Sequence, residues 1–411
     1  MFNQYRGLRK ELYVLFIGRI MTNMGSMIWP MLTLILNSKL GLNAKEVAIW
    51  LLAFTFVSIP VSIIGGKLSD YFNKRNIIII CDIVSIICFL YCSLIEISFK
   101  AIVFIAIAGL FQQIEYPAYD ALVADFTLPK DRERAYSLSY LGGNLGLMLS
   151  PTISGILFND YLNIAFIISG ISIALSTILI SLFIKNVERE ESDTDINIYE
   201  KDISNKTNIF VYIFKNRVLR TFIVTFVLYS AIYNQFNYLM PLELTSQFKE
   251  KGSIIYGTLT SVNCITVVLM TSLLTRKLRK VYESTKLIIG AILIILGNLI
   301  FKTFMPYIYF SYIAMIVFTF GEIIHNIGSR PFQTKRIPAN YRGRFISVVL
   351  VFENLFVSLF RLLIGHLYDS YGSLTAWMIV LVIGSISILM CLYLKNIDSK
   401  DYPELYKRMN N

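Results

Sequence analysis

The stretch Gly66-Lys-Leu-Ser-Asp-Tyr-Phe-Asn-Lys-Arg75 is short, charged and opened by glycine, and it lies between two long apolar runs, 46–65 and 76–95. Each run reaches the roughly 20 residues an α-helix needs to cross about 30 Å of hydrocarbon. Asp70 therefore falls where one membrane helix ends, and Lys74 and Arg75 fall at headgroup level before the next begins. A carboxylate in that place, followed by two cations, reads as part of a gate at the membrane surface.

Composition extends the reading to the whole chain. Hydrophobic residues make up 55% and charged residues only 16%, against about 25% charged in ordinary soluble domains. Twelve apolar segments follow one another: 13–36, 46–66, 76–97, 100–123, 135–158, 162–184, 219–242, 253–275, 286–303, 306–329, 344–367 and 374–395. They are too long and uninterrupted for strands, and they lack the alternation of a membrane β-barrel, so each is expected to be a helix of an all-α integral membrane protein. The first run has no small-residue cleavage site and is expected to be a true span, not a leader.

Cations set the orientation. With the amino terminus inside, about 30 Lys and Arg fall on cytoplasmic segments, while Lys39, Lys45, Lys100, Lys249, Lys251 and Lys302 fall outside and Arg19 and Arg361 lie within spans. Both termini are thus expected in the cytoplasm of a multi-pass plasma-membrane protein. The net charge of +11 is spread over many short loops, which suits contact with anionic lipid and argues against nucleic acid. The five cysteines all lie in apolar runs without disulfide or zinc spacing, and no metal or cofactor is expected. No Walker-type phosphate loop or soluble domain is seen, so neither ATP-driven transport in this chain nor an enzyme is expected.

The longest hydrophilic interruption, 185–218, is expected to be a cytoplasmic linker between an N-terminal six-helix half (1–184) and a C-terminal one (219–395), with a tail at 396–411. The halves look duplicated. Shifting the chain by 210 residues pairs Arg132 with Arg342, Arg134 with Arg344, Ser137 with Ser347 and Asn144 with Asn354. It also pairs Leu145, Leu149 and Leu157 with Leu355, Leu359 and Leu367, Gly155 with Gly365 and Tyr161 with Tyr371.

The pattern Gly66-x-Leu68-x-Asp70-x-x-Asn73-Lys74-Arg75 resembles the signature loop between helices two and three of the major facilitator superfamily. Tyr71 stands where an arginine is common, and Asn73 stands where the second glycine is, with the left-handed conformation expected of it. The resemblance implies twelve transmembrane helices in two pseudo-symmetric six-helix bundles, with a site at their interface and alternating access. It implies gating roles for Gly66, Asp70, Lys74 and Arg75, with Asp70 facing the amino terminus of span eleven near Gly343 and Arg344.

Span five carries Gly146-Leu-Met-Leu-Ser-Pro151-Thr-Ile-Ser-Gly155, which resembles the antiporter signature G-x-x-x-G-P-x-x-G-G with Ser150 and Ser154 in place of two glycines. Small residues at this spacing let another helix approach closely. Intramembrane charge is the third signal, because each Arg or Asp at a helix centre costs at least about 2.5–3.5 kcal/mol and should face a cavity or a partner. Arg19, Asp82, Glu115, Asp120, Glu322, His325, Glu353 and Arg361 all qualify. Gly321-Glu322-Ile323 resembles an element of helix ten in some multidrug exporters of the superfamily, so Glu322 leads the expected proton-coupling set, followed by Asp120 and Asp125, with Arg19 as pairing cation. Asp82 and Glu353 are equally compatible with structural roles.

The substrate cavity is expected to involve Glu115, Tyr116, Asn144, Phe236, Asn237 and His325. Aromatic rings beside one or two acids would suit lipophilic cations. The sequence therefore points to a monomeric, proton-coupled exporter of drug-like or amphiphilic small molecules. The alternative is a symporter or exporter of a defined metabolite such as a sugar, peptide or siderophore, which Gln112, Gln113, Asn144, Asn234, Gln235 and Asn237 favour. A transport-inactive sensor or lipid scramblase is the reading from outside that class.

Overall fold

A computed structural model describes residues 7–127, 131–184, 209–337 and 342–407, with backbone alone at 70, 132–133, 209–211, 334, 342–343 and 407. Helices run in order α1 (Lys10–Met24), α2 (Ile28–Leu34, continued by a π-helical turn Ile35–Lys39), α3 (Ala44–Tyr71), α4 (Lys74–Leu94), α5 (Phe99–Asp125), α6 (Arg132–Leu147), α7 (Ser150–Leu157) and α8 (Leu162–Phe183). They continue with α9 (Ile209–Lys215), α10 (Arg217–Tyr233, continued by a 3₁₀ turn Asn234–Asn237), α11 (Leu239–Phe248), α12 (Lys251–Lys277), α13 (Glu283–Phe304), α14 (Ile308–Arg336), α15 (Arg342–Asp401) and α16 (Glu404–Lys407). Of the expected linker 185–218, residues 185–208 lie outside the described residues.

Among the described residues, eight helices are long and apolar enough to cross a membrane: α3, α4, α5, α8, α12, α13, α14 and α15. Their apolar residues face outward as well as inward. On α4, Ile77, Ile78, Cys81, Ser85, Cys88, Phe89 and Cys92 are buried, yet Ile80, Ile83, Ile87 and Leu90 are exposed. A helix apolar on every side belongs in lipid.

Three of the expected spans are broken. The tracts 13–36, 135–158 and 219–242 are each interrupted, at 25–27, at 148–149 and at 234–238. In every case a proline follows within the first turn of the next helix: Pro30 in α2, Pro151 in α7 and Pro241 in α11. Proline lacks an N–H and blocks the preceding turn, so it is accommodated where helical N–H groups are unbonded anyway. Pro60, Pro117 and Pro331 instead sit inside α3, α5 and α14 without ending them. The last two expected spans, 344–367 and 374–395, join without a loop. They meet within α15 at Gly372, whose φ of 84° and ψ of 170° are open only to glycine.

The charged turn also differs in detail from expectation. Asn73 has φ −63° and ψ 115°, not a left-handed conformation, and it caps α4 by accepting the Asn76 N–H at 3.3 Å. Asparagine is chosen there for its side-chain oxygen. The other end of α3 is fixed by a capping box, in which Asn43 and Glu46 accept each other's backbone N–H at 2.9 Å.

The chain forms two compact units: the described residues of Met1–Glu190 with Met240–Val268, and those of Glu191–Leu239 with Leu269–Asn411. In the first, α4 packs between α5 and α8, and α1 packs on α6 and α8. Residues 251–268 join this unit because small residues let backbones touch: a Cβ on Gly257 would lie 2.2 Å from the Pro151 carbonyl oxygen. The Thr152 and Ser261 hydroxyls bond across the same seam at 2.7 Å.

In the second unit α13 packs on α14 and α10 on α15. Its polar anchor is Arg336, which grips Asp398 through two bonds of 2.5 and 2.6 Å with both side chains almost fully buried. The Tyr406 hydroxyl donates to the same carboxylate at 2.5 Å, docking α16. Burial and that bond push the Tyr406 phenol above its usual range.

Gly257→Ala is expected to destabilise the protein by about 1–3 kcal/mol, seen as a lower melting temperature in detergent. Gly66→Ala, whose Cβ would meet nothing within 4 Å, is expected to leave that temperature unchanged. Equal stability of wild type and Gly257→Ala would dismiss the seam.

Candidate functional site

In the first unit, two helices present matching polar stripes. Arg19, Thr22, Asn23 and Ser26 recur at helical spacing along α1 and its end, and Gln112, Glu115, Tyr116 and Tyr119 recur along α5. The stripes enclose a cavity of about 260 Å³ lined by Arg19, Asn23, Gln112, Gln113, Glu115 and Tyr116, with Trp29 and Phe54 at its apolar end. The Trp29 indole donates to Gln112 Oε1 at 2.9 Å.

The Arg19 guanidinium lies over the rings of both Tyr116 and Tyr119, 4.9 and 5.0 Å from their centroids. Glu115 is buried and feels the charges of Arg19 and Asp120. The Tyr119 hydroxyl donates to the Leu15 carbonyl and fixes α5 on α1. Arg19 and Asp120, expected in the coupling set, and Glu115 and Tyr116, expected in the substrate cavity, are thus brought together as one electrostatic group. Thr22, Asn23 and Ser26 were missed, although their spacing from Arg19 was a readable signal.

The span-five residues stand behind this cavity. A Cβ on Gly146 would lie 2.5 Å from the Ile20 carbonyl oxygen and 2.7 Å from Asn23 Cβ, so Gly146 sets how closely α6 holds the cavity wall. Ser150, Pro151, Ser154 and Gly155 are buried in α7. Gly155 meets the backbone of α12, whose Ser253 hydroxyl donates to the Gly155 carbonyl at 3.2 Å. Asn144 donates to Tyr140 of its own helix at 2.9 Å, and Asn354 repeats this bond to Leu350 at 2.9 Å.

Around the charged turn, Lys74 pairs with Asp125, which joins the start of α4 to the end of α5. Arg75 donates to the Ser181 carbonyl at 2.6 Å and so caps the negative end of α8. Gly66 accepts the Ser69 hydroxyl at 2.7 Å. The Asp70 side chain lies outside the described residues. Asp125 is thus set apart from the Arg19 group by its own cation. In the second unit Glu283, at the start of α13, pairs with Lys335, near the end of α14, at 2.6 Å. This is the same joint with its polarity reversed.

The second unit has its own embedded acids, organised by α10. Its residues Ser230, Tyr233 and Asn234 share one face. Tyr233 donates to Glu322 Oε1 at 3.1 Å, Ser230 is hydrogen-bonded to Glu353, and Asn234 Oδ1 accepts from Arg361 at 2.8 Å. The Tyr233 ring stacks on Phe318, which also packs on Phe236. Phe236 is buried, whereas Asn237 is exposed. His325 does not open to a cavity: it is 1% exposed and stacked flat on Tyr229, with ring centroids 3.4 Å apart.

The Major Facilitator Superfamily profile matches residues 14–360. The chain belongs to the Major Facilitator Superfamily. It is a multi-pass membrane transporter and not an enzyme. It is 22% identical over 370 residues to the Na(+), Li(+), K(+)/H(+) antiporter of Planococcus maritimus, covering 82% of this chain and 85% of the relative. It is also 22% identical over 319 residues to the uncharacterized MFS-type transporter YqjV of Bacillus subtilis, covering 76% and 75%. Among solved structures it resembles a POT family transporter in complex with 5-aminolevulinic acid, with a TM-score of 0.76, 14% identity and 97% of each chain covered. A mutant of the nucleoside transporter NupG matches at a TM-score of 0.74 and 14% identity, covering 94% and 99%. At such identities the likeness to these structures shows the fold alone.

The reversed joints give a direct test of Asp125. Either Lys74→Asp or Asp125→Lys alone is expected to lower stability by up to about 1 kcal/mol and to reduce transport. The double exchange, which reproduces the polarity of Glu283 and Lys335, is expected to restore both. A stable but inactive double variant would show that Asp125 acts as more than an ion-pair partner.

Proposed function

We propose that the protein is a secondary exporter of the plasma membrane, working as a monomer with both termini cytoplasmic, that exchanges amphiphilic, cation-bearing small molecules for protons by alternating access. The three interrupted tracts are taken to cross the membrane as broken helices, and the two arms of α15 as separate ones, which gives twelve crossings. The observation that carries the coupling is the bond from the Tyr233 hydroxyl to Glu322 at 3.1 Å. The Tyr233 hydroxyl can donate to the ionised carboxyl and accept from the protonated one, so this bond survives a change of protonation. The Glu115 cavity, with Trp29, Phe54 and Tyr116 in its wall, supplies aromatic surface and one buried acid for a cationic substrate.

Asp120 and Arg19 tune Glu115 in this reading, Gly66, Asp70, Lys74 and Arg75 form the gate, and Gly146 to Gly155 form the packing seam. A second reading replaces the organic cation by a monovalent metal ion, which the similarity to a Na(+), Li(+), K(+)/H(+) antiporter supports. The amides of Asn23, Gln112 and Gln113 at the cavity favour a third, polar metabolite.

Purified protein in vesicles carrying an imposed pH gradient decides among these. Wild type is expected to accumulate cationic dyes against their gradient in proportion to the pH difference. Glu322→Gln, which still accepts the Tyr233 hydrogen bond, is expected to exchange dye for dye yet ignore the pH difference. Movement of Na⁺, Li⁺ or K⁺, or of sugars and peptides, in place of dyes would assign the other cargoes. Dye uptake indifferent to pH in wild type would remove the antiport reading.

A further inference from the structure

Asp82 lies outside the set of residues given roles above, yet its surroundings are those of a working acid. It sits eight residues into α4 from Lys74, about 12 Å along the helix axis, and it is 3% exposed. Its partner is Thr177 of α8, whose Oγ1 lies 2.6 Å from Asp82 Oδ2. The same Oγ1 lies 2.9 Å from the Ile173 carbonyl oxygen one turn back on α8.

A threonine hydroxyl has a single hydrogen. In a helix it is ordinarily given to the carbonyl four residues earlier. The short contact to Asp82 then needs its hydrogen from the carboxyl. A protonated Asp82 completes the chain: the acid O–H donates to Thr177, and Thr177 donates to Ile173. With Asp82 ionised, one hydrogen would have to serve two acceptors. The groups that face it also fail to balance a negative charge. Glu115 and Tyr119 face it from α5 and Cys81 from its own helix, while α8 carries no titratable residue. Arg19, the cation of this group, bears on Glu115 and Tyr119, and Asp120 bears on Glu115 as well.

We propose that Asp82 is a proton carrier of the first unit, holding a proton against Thr177 in the state described and exchanging it with Glu115 during the transport cycle. In that step the Oδ2–H bond of Asp82 breaks, a carboxyl O–H bond forms on Glu115, and the negative charge passes from Glu115 to Asp82. Arg19 stabilises Glu115 when it is the ionised partner. The cavity that Glu115 lines then gives the proton its way to water. This role rests on the proton-coupled reading above and adds a second acid, remote in sequence from Glu322, to it.

Infrared difference spectra of the purified protein between low and high pH test the proton directly. Wild type is expected to show the carbonyl band of a hydrogen-bonded, protonated carboxyl that shifts in D₂O. Asp82→Asn, which matches the acid in shape and can donate to Thr177, should remove that band without unfolding the protein. Thr177→Val keeps the acid and should move the band to higher frequency. In vesicles, Asp82→Asn should retain dye-for-dye exchange and lose pH-driven accumulation.

A band unaltered by Asp82→Asn would overturn the proposal, and so would full pH-driven accumulation by that variant. Wild-type uptake that ignores pH would instead bring down the coupled reading together with the role given to Asp82, and the wild-type control separates the two failures.

Discussion

A polar group inside hydrocarbon finds its partner within the protein or remains unbonded, since no water is present to supply one. The described structure meets this constraint in two ways, and the difference carries functional information. Near helix ends, charge meets charge: Lys74 with Asp125, Glu283 with Lys335, and Arg336 with Asp398. Deeper, acids meet hydroxyls: Glu322 with Tyr233, Glu353 with Ser230, and Asp82 with Thr177. The Arg336–Asp398 pair is a fixed joint, because neutralising one member leaves the other buried and unpaired. An acid against a hydroxyl is adaptable, because the hydroxyl donates to a carboxylate and accepts from a carboxylic acid.

That division explains which expectations the sequence could carry. The long apolar runs, the charged turn and the embedded Glu322 were legible because each is a local property of the chain. The breaks before Pro30 and Pro241 were also local but were masked by hydropathy, which is blind to a missing N–H. The boundary between spans 344–367 and 374–395 was legible, and Gly372, where the two helices meet, lies within it; what hydropathy does not report is the φ that makes the bend. Asn73 was read as a substitute for glycine when its side-chain oxygen was the property in use.

The site was legible only in part, for a different reason. Residue type marked Arg19, Glu115 and Asp120 as costly in lipid, but it could not say which partners relieve that cost. Asp125 is answered by Lys74, 51 residues away, and Asp82 by Thr177, 95 residues away. Such pairings are tertiary facts. His325 illustrates the converse, for a histidine in an apolar run looked like a cavity group and is instead an aromatic plate stacked on Tyr229.

The internal duplication sharpens the argument. Asn144 and Asn354 make the same bond to the carbonyl four residues earlier, as Asn234 and Asn298 also do. The helix-end joint was retained in position but not in sign: the anion is on α5 in one unit and on α13, the counterpart of α4, in the other. A joint whose polarity can be inverted without losing its place is selected for holding two helices together, not for carrying a particular charge. The deep acids follow no such pattern. Asp82 shifted by 210 residues falls on Ile292, and Glu322 falls back on Gln112. The helix-end joint thus recurs in both units, while these embedded carboxyls do not. Neither Asp82 nor Glu322 has a carboxyl counterpart in the other unit, and under the proposed coupling the protonation of either would bias the two facing states unequally.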